Sequence, residues 1–379
     1  MAELTETTDE SPADEGDRPR RAPAGPKLRS RKGGAAIPLD ETDRRLMNLM
    51  QSEFPLVPEP YAKLAAAAEL GIGELMERTQ RLLDGRIIRE ITPIFDTRAL
   101  GYSSMLVAAK VDPEYPHRPA KIINAHPGVS HNYLRDHEFN LWFTIATAPD
   151  SRLGLEGTLD VLRELTGAES IRQLPTLTMF KINMNLEMEG GTDALAAKVE
   201  AVPPRELEPQ PYDDFDVAVI RALQGPMAVT ERPYDEAAAA VGLDTEAFLA
   251  HLEAMAERKI LRRVAAILFH RRAGFSANGM GVWKVAPDDV AEIGGRMAAV
   301  RGISHCYQRP TYEDWPYSVF TMAHGRSKEE CDAILDAIAA QFPEIQDRAT
   351  LDSSTEFKKI RLLYFTDAFR AWEREHAGA

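Results

Sequence analysis

Two short segments of this chain place a histidine, a tyrosine and an arginine at alternate positions: His131, Tyr133 and Arg135 in one, and His305, Tyr307 and Arg309 in the other. In a β-strand, residues two apart point to the same face, so each segment aligns three polar groups of different chemistry. An imidazole exchanges protons near neutral pH, and a guanidinium can grip a carboxylate through two parallel hydrogen bonds. A polar triad on one strand face also suits the solvated side of a sheet. Its recurrence in one chain, with Trp142 and Trp315 nearby, favours a site. The second segment is further accompanied by the basic cluster His270-Arg271-Arg272 and by Tyr312, Trp315, Tyr317 and Phe320. The plain alternatives are a solvated loop for the cluster and β-sheet packing for the aromatics.

Composition narrows the classes. The chain has 379 residues with 44% apolar and 27% charged side chains, a balance that suits a globular protein with a sizeable core. No apolar run reaches the ~20 residues of a membrane helix, and the N-terminus lacks the apolar stretch of a secretory leader, so a cytoplasmic location is expected. Cys306 and Cys331 have no metal-ligand spacing and are expected to be reduced thiols. There is no GxGxxG, Walker loop or CxxC, hence no expectation of a separate cofactor. The net charge of −14 argues against a polyanion such as DNA as main partner, because nucleic-acid affinity rests largely on Lys and Arg.

The elements that must position the triads come in two copies. Pro60-Tyr61 recurs as Pro233-Tyr234, Gly101-Tyr102 as Gly274-Phe275, Ser130 to Arg135 as Ser304 to Arg309, and Phe143-Thr144 as Phe320-Thr321. Four landmarks in the same order amount to an internal duplication. Each copy begins with helical periodicity, in the first over Asp43 to Gln51, Tyr61 to Leu70 and Ile72 to Leu83. A break at Gly71-Ile72-Gly73 and a short wing strand at Ile87 to Ile91 suit a winged helix-turn-helix. Strand and helix then alternate: strands at Ser104 to Val111, Ser130 to Leu134, Leu141 to Ala148 and Leu177 to Asn183, and helices at Arg118 to Ala125 and Arg152 to Thr166. That is the βαββαβ order of a ferredoxin-like domain. The expected fold class is α+β, with tandem copies of this pair. The expected boundaries are a disordered tail at 1–36, helix-turn-helix units at 37–92 and 212–264, ferredoxin-like domains at 93–189 and 265–370, and a linker at 190–211.

A winged helix-turn-helix followed by a small βαββαβ domain resembles the Lrp/AsnC family of amino-acid-responsive regulators. The segments HNYLRDHEFNLWFTI (His131 to Ile145) and SHCYQRPTYEDWPYSVFTMAHG (Ser304 to Gly325) resemble, in order, the first and second subunits of siroheme decarboxylases. The resemblance covers roughly residues 38–370. It implies removal of two acetate carboxyl groups from siroheme to give didecarboxysiroheme, in an alternative haem route or in making the dissimilatory haem of nitrite reductase. No cofactor is implied beyond the iron-containing tetrapyrrole substrate.

For such a substrate, with eight carboxylates around a flat ring, a site needs aromatic or apolar walls and a cationic rim. His305 is the preferred proton donor, with His324 and His131 next. Tyr307 and Arg309 would orient carboxylates, as would their counterparts Tyr133 and Arg135, and His137 or His324 would be axial iron contacts or second acids. His270, Arg271, Arg272, Tyr312 and Trp315 complete the expected binding residues. Two other readings stay open: an Lrp/AsnC-type transcriptional regulator and a haem-binding sensor. The first stretch at the recognition-helix position, 72–86, balances Arg78, Arg81 and Arg86 against Glu74, Glu77 and Asp84, and the second, 244–259, has four acids against two bases. Groove-reading helices present Arg, Lys, Asn or Gln, so no specific DNA binding is expected. The two halves are expected to pair within the chain, with a further homodimer left open.

Overall fold

Asp40 and Asp213 start the first helix of each copy in the same way. Each side chain accepts a hydrogen bond from the N–H three residues on, Asp43 at 2.7 Å and Asp216 at 2.9 Å, and each of those aspartates accepts the cap residue's N–H in return. The reciprocal pair satisfies donors that a helix start leaves open. The computed structural model describes residues 37–182, 208–269, 277–300, 302–325 and 327–376. Helices α1 (Glu41–Ser52), α2 (Pro60–Ala68) and α3 (Ile72–Asp84) form the first trio. Helices α6 (Asp214–Leu223), α7 (Asp235–Ala240) and α8 (Thr245–Glu257) form the second.

The wings do not stay within their own halves. Strand β1 (Ile88–Phe95) pairs antiparallel with β7 (Leu261–Leu268), from Ile88 opposite Leu268 to Phe95 opposite Leu261. A two-stranded ribbon is marginal alone; here both helical trios cover it in one shared core. The repeated tyrosines Tyr61 and Tyr234 meet there, both packed on Phe54 with ring centroids 5.3 and 6.5 Å away, and the Tyr234 hydroxyl donates to the Pro55 carbonyl.

The ferredoxin-like part of the first copy runs β2 (Ser103–Lys110), α4 (His117–Ala125), β3 (Val129–Arg135), β4 (Leu141–Thr147), α5 (Gly154–Thr166) and β5 (Ser170–Leu174). The second runs β8 (Ala277–Lys284), α9 (Val290–Ala299), β9 (Ile303–Gln308), β10 (Val319–Gly325), α10 (Lys328–Gln341) and β11 (Asp347–Leu351). Each copy then sends one more strand into the other's sheet. Strand β6 (Thr178–Ile182) pairs with β9, and β12 (Ser353–Lys359) pairs with β3, giving orders β12-β3-β4-β2-β5 and β11-β8-β10-β9-β6.

This exchange corrects the sequence reading, which takes Leu177 to Asn183 as the fourth strand of the first sheet. The true fourth strand, Ser170–Leu174, is a polar edge whose first four residues are only half-buried, so it lacks the apolar alternation that betrays a strand. The apolar segment after it belongs to the neighbouring sheet. A second correction concerns the repeat: Trp142 lies opposite Tyr133, and Phe320 lies opposite Tyr307. Phe320 thus matches Trp142 in space rather than Phe143, which faces the helices.

The two sheets meet through the faces that their helices leave free. Ala108, Trp142, Leu174, Val282, Trp315 and Phe320 form the centre of this seam, with the Trp142 and Trp315 rings 5.2 Å apart and edge to face. The C-terminal segment, beyond the expected elements, returns to the first copy. Arg361 donates to the Pro93 carbonyl at 2.8 Å, and α11 (Asp367–His376) sets Trp372 against His126, ring centroids 4.5 Å apart.

Candidate functional site

On β3, Asn132 points to the helix side, where its amide donates to the Ala120 carbonyl and to Asn124. Alternation therefore sends His131, Tyr133 and Arg135 to the opposite face. On β9, Cys306 is buried among the helices, and His305, Tyr307 and Arg309 face the other way. Both triads thus occupy one strand face each, as their spacing requires.

Each triad is a ladder that runs from the seam outward. The Arg309 guanidinium donates to the Leu174 carbonyl at the end of β5, across the copies, and the Arg135 guanidinium donates to the Leu351 carbonyl at the end of β11. Burial pushes both guanidinium pKa values down to about 10, and the Nε of each has no hydrogen-bond partner among the described residues. Arg309 lies 5.1 Å from the centre of the Tyr307 ring and Arg135 lies 5.7 Å from that of Tyr133. Next along each strand come the histidines, His305 with its ring centre 5.9 Å from Tyr307 and His131 6.2 Å from Tyr133.

The histidines are held by one nitrogen. Nδ1 of His305 bonds the Ser304 hydroxyl at 2.6 Å, and that hydroxyl also bonds His324 Nε2 at 2.7 Å. Nδ1 of His131 bonds Ser130 at 3.0 Å and Thr144 at 3.3 Å. Fixing Nδ1 orients the ring and leaves Nε2 as the working nitrogen. Both rings have their pKa lowered to about 4. For His305 the causes are burial, then the positive fields of His324 and Lys181; for His131 they are burial, then Lys359 and Arg89. Both imidazoles are consequently neutral in the free protein at pH 7, whereas the sequence suggests a donor titrating near neutrality.

The remaining expected residues are distributed as follows. Trp315, expected in a pocket wall, is fully buried in the seam, within 5.0 to 6.1 Å of Tyr317, Phe139, Phe320, His137 and Trp142. Tyr312 donates to the Gln173 carbonyl and packs under Arg172, which pairs with Asp314 at 2.8 Å. His137 stacks by Phe139, and its Nδ1 accepts the Phe139 N–H at 3.0 Å. These three residues, with Arg135 and Arg309, tie one half to the other. His270, Arg271 and Arg272 lie outside the described residues. Sequence reasoning missed Lys181, Lys359 and Arg89, which the topology brings to the histidines from other elements. It also passed over Ser130 and Ser304, although a serine directly before each histidine was a visible signal.

Among the described residues no group of histidine, cysteine and acidic side chains could hold a resident metal ion, and no helix is long and apolar enough to cross a membrane.

Comparison with known proteins places this architecture. The AsnC-like ligand binding domain matches residues 99–181 and 272–358, and the siroheme decarboxylase NirDL-like HTH domain matches 43–89 and 216–262. A siroheme decarboxylase of Hydrogenobacter thermophilus is 37% identical over 334 residues, covering 87% of this chain and 97% of that relative. The siroheme decarboxylase alpha subunit of Desulfovibrio desulfuricans is 37% identical over 155 residues, 41% of this chain and 88% of the subunit. The crystal structure of the siroheme decarboxylase NirDL in co-complex with an iron-uroporphyrin III analogue matches with a TM-score of 0.70 at 33% identity, covering 89% of this chain and 99% of that one. With tandem domains of both kinds and near-complete coverage of single-chain relatives, this chain belongs to the siroheme decarboxylase family.

Proposed function

We propose that the chain is a carbon–carbon lyase that removes two acetate carboxyl groups from siroheme, giving didecarboxysiroheme for haem or haem d1 biosynthesis. The observation that carries this reading is the pair of serine-held imidazoles, each with Nε2 unengaged among the described residues. In each step the bond between an acetate methylene and its carboxyl carbon breaks, and CO2 leaves. The electron pair stays on the methylene carbon, spread into the conjugated ring, and a proton converts the methylene to a methyl group. The balance needs no oxidant or reductant, so no cofactor is invoked beyond the tetrapyrrole itself.

His305 is the proton donor in this account. Its imidazole is neutral without ligand, and the carboxylates of the bound substrate supply the field that returns a proton to Nε2. His324, joined to His305 through Ser304, is the second acid of the same face, and His131 serves the other. Tyr307 and Tyr133 flank the histidines and orient carboxylates, and Arg309 and Arg135 hold those tyrosines in place from the seam. The protein acts without binding specific DNA. Supporting this, Arg78 and Arg81 of the first would-be recognition helix are tied to the buried Asp43, and Arg258 of the second to the buried Asp216.

The test is product mass against time for His305→Ala and His131→Ala under saturating siroheme, with folding checked by circular dichroism. His305→Ala should bind siroheme and lose about 10²- to 10⁴-fold in turnover, and His131→Ala should accumulate mono-decarboxylated product. Wild-type rates in His305→Ala refute the assignment; equal loss of both steps in both variants means one shared site in which siroheme reorients.

A further inference from the structure

Strand β12, which the second copy lends to the first, ends in two lysines that face opposite ways. Lys358 is in register with Asn132 and turns, like it, to the helix side, where its ammonium donates to the Asn124 and His126 carbonyls at 2.8 and 3.3 Å. A bulge between Glu356 and Lys358 brings Phe357 to that same side, with its ring centroid 5.4 Å from that of His117 on α4. Lys359 is in register with His131. Paired residues of an antiparallel ladder share a face, with Cβ atoms about 4.5–5.5 Å apart, and alternation from Lys358 gives the same answer. Lys359 therefore lies on the His131 face. One residue further on, the Ile360 N–H donates to the Ser130 carbonyl at 2.8 Å, so the ladder holds on both sides of this pair.

Lys359 is exposed and makes no ion pair with any described residue. Its positive field acts on the His131 ring, in agreement with the register, whereas Arg89, the other cation acting there, is taken up by Glu90 at 3.5 Å. Glu356, in register with Tyr133, shares this face. The strand thus grades from acidic beside Tyr133 to basic beside His131, and an anion is drawn to the His131 end. The second copy's face is built otherwise. On β6 the positions in register with His305 and Tyr307 are Ile182 and Met179, and Lys181 is in register with Cys306.

Each pyrrole-derived ring of siroheme carries an acetate and a propionate on neighbouring carbons, and the propionates are retained. An ammonium paired with a reacting carboxylate would stabilise the charge that decarboxylation removes, and would raise the barrier. Paired with the retained neighbour, it directs its binding energy to orientation instead. We propose that Lys359, contributed by the second copy, binds the propionate next to the acetate that His131 serves, and so sets which acetate reaches the imidazole. This rests on the function proposed above. Lys359 determines specificity through the retained carboxylate and passes no proton.

The experiment uses the full chain as wild type, Lys359→Met and Lys359→Arg, with folding compared by thermal unfolding. Product mass is followed against time over a range of siroheme concentrations. Iron coproporphyrin III, which keeps the propionates and has methyl groups in place of the acetates, is the non-reacting probe, titrated by absorbance. Loss of one charge-assisted hydrogen bond weakens binding about 10-fold or more. Lys359→Met should weaken iron coproporphyrin III binding by that factor and, at subsaturating siroheme, accumulate the mono-decarboxylated species. Lys359→Arg should recover most of both. Because the lysine is exposed, salt at about 1 M, where the screening length falls to about 3 Å, should bring wild type down to the level of Lys359→Met. Unchanged binding and an unchanged time course in Lys359→Met overturn the proposal. Slower conversion with normal iron coproporphyrin III binding also overturns it, by placing the lysine on the acetate. A loss that neither arginine nor salt alters overturns it too, by marking a structural role. If wild type leaves siroheme unchanged, the proposed function fails, and the lysine's part is still decided by iron coproporphyrin III binding.

Discussion

If the substrate's carboxylates protonate His305, ligand binding must draw a proton from solution, and the amount follows from the structure. His305 has its pKa at about 4 in the free protein, against an ordinary 6.5. At pH 6.5 it then carries about 0.003 of a proton. A carboxylate about 4 Å from the ring interacts by about 4 kcal/mol at an effective dielectric of 20. At about 1.4 kcal/mol per pKa unit that is roughly three units. The bound-state pKa then reaches about 7, and the ring is about three-quarters protonated at pH 6.5. The assay is calorimetric titration with iron uroporphyrin III in several buffers of different ionisation enthalpy, in wild type and His305→Gln. The difference in proton uptake between the two should be about 0.7 at pH 6.5 and should fall toward zero by pH 9. Identical uptake in both proteins would refute the reasoning, since the ligand would leave His305 neutral and some other group would have to supply the proton.

Three other expectations come from the surrounding structure. Trp315→Ala opens the centre of the seam and should cost about 3–5 kcal/mol in denaturant unfolding, whereas Trp315→Phe, which removes an indole N–H that has no partner among the described residues, should cost much less; equal losses would contradict the packing described. Asp43→Ala removes the carboxylate that accepts the Asp40 N–H in the capping box and the buried partner of Arg78 and Arg81, and should cost about 3 kcal/mol, while wild type should leave no sequence-specific footprint on duplex DNA at physiological salt. His126 is buried against Trp372 and Phe369, accepts the Gly128 N–H, and has its pKa lowered to about 3, chiefly by burial. The unfolded chain therefore takes up this proton as pH falls below 6.5 and the folded chain does not until about 3, so stability declines across that window by about 1.4 kcal/mol per pH unit for this group. His126→Asn, which keeps an acceptor and cannot titrate, should flatten the slope by one proton's worth; an unchanged slope would contradict the burial argument.

Much of this was legible in the sequence for a simple reason: local rules act locally. Alternation on β3 and β9 put His131, Tyr133 and Arg135, and His305, Tyr307 and Arg309, on single faces, and helix periodicity located α1 to α5 within a few residues. What was not legible depends on contacts between the copies. Nothing in Thr178–Ile182 marks it as leaving its own sheet, so its pairing with the strand that carries His305 and Tyr307 could not be read from the sequence. Arg309 and Arg135 were read as carboxylate ligands because arginine favours that role, yet the exchanged sheets present carbonyls at Leu174 and Leu351 that claim them. Trp315 was read as a pocket wall, and only the crossing of the two sheets shows that it closes their interior. Counting charges along α3 and α8 shows no excess of cations, and the ion pairs of Arg78 and Arg81 to Asp43 and of Arg258 to Asp216 add that these cations are engaged within the fold, which a count cannot show.

The central claim is that this chain turns siroheme over rather than merely holding it. The direct measurement is anaerobic incubation of catalytic amounts of the protein with excess siroheme, followed by mass spectrometry of the whole tetrapyrrole pool. The account predicts conversion of many equivalents to a species lighter by two CO2, by way of one lighter by a single CO2. Stoichiometric binding with the siroheme mass unchanged would contradict it and would mark the protein as a tetrapyrrole sensor instead.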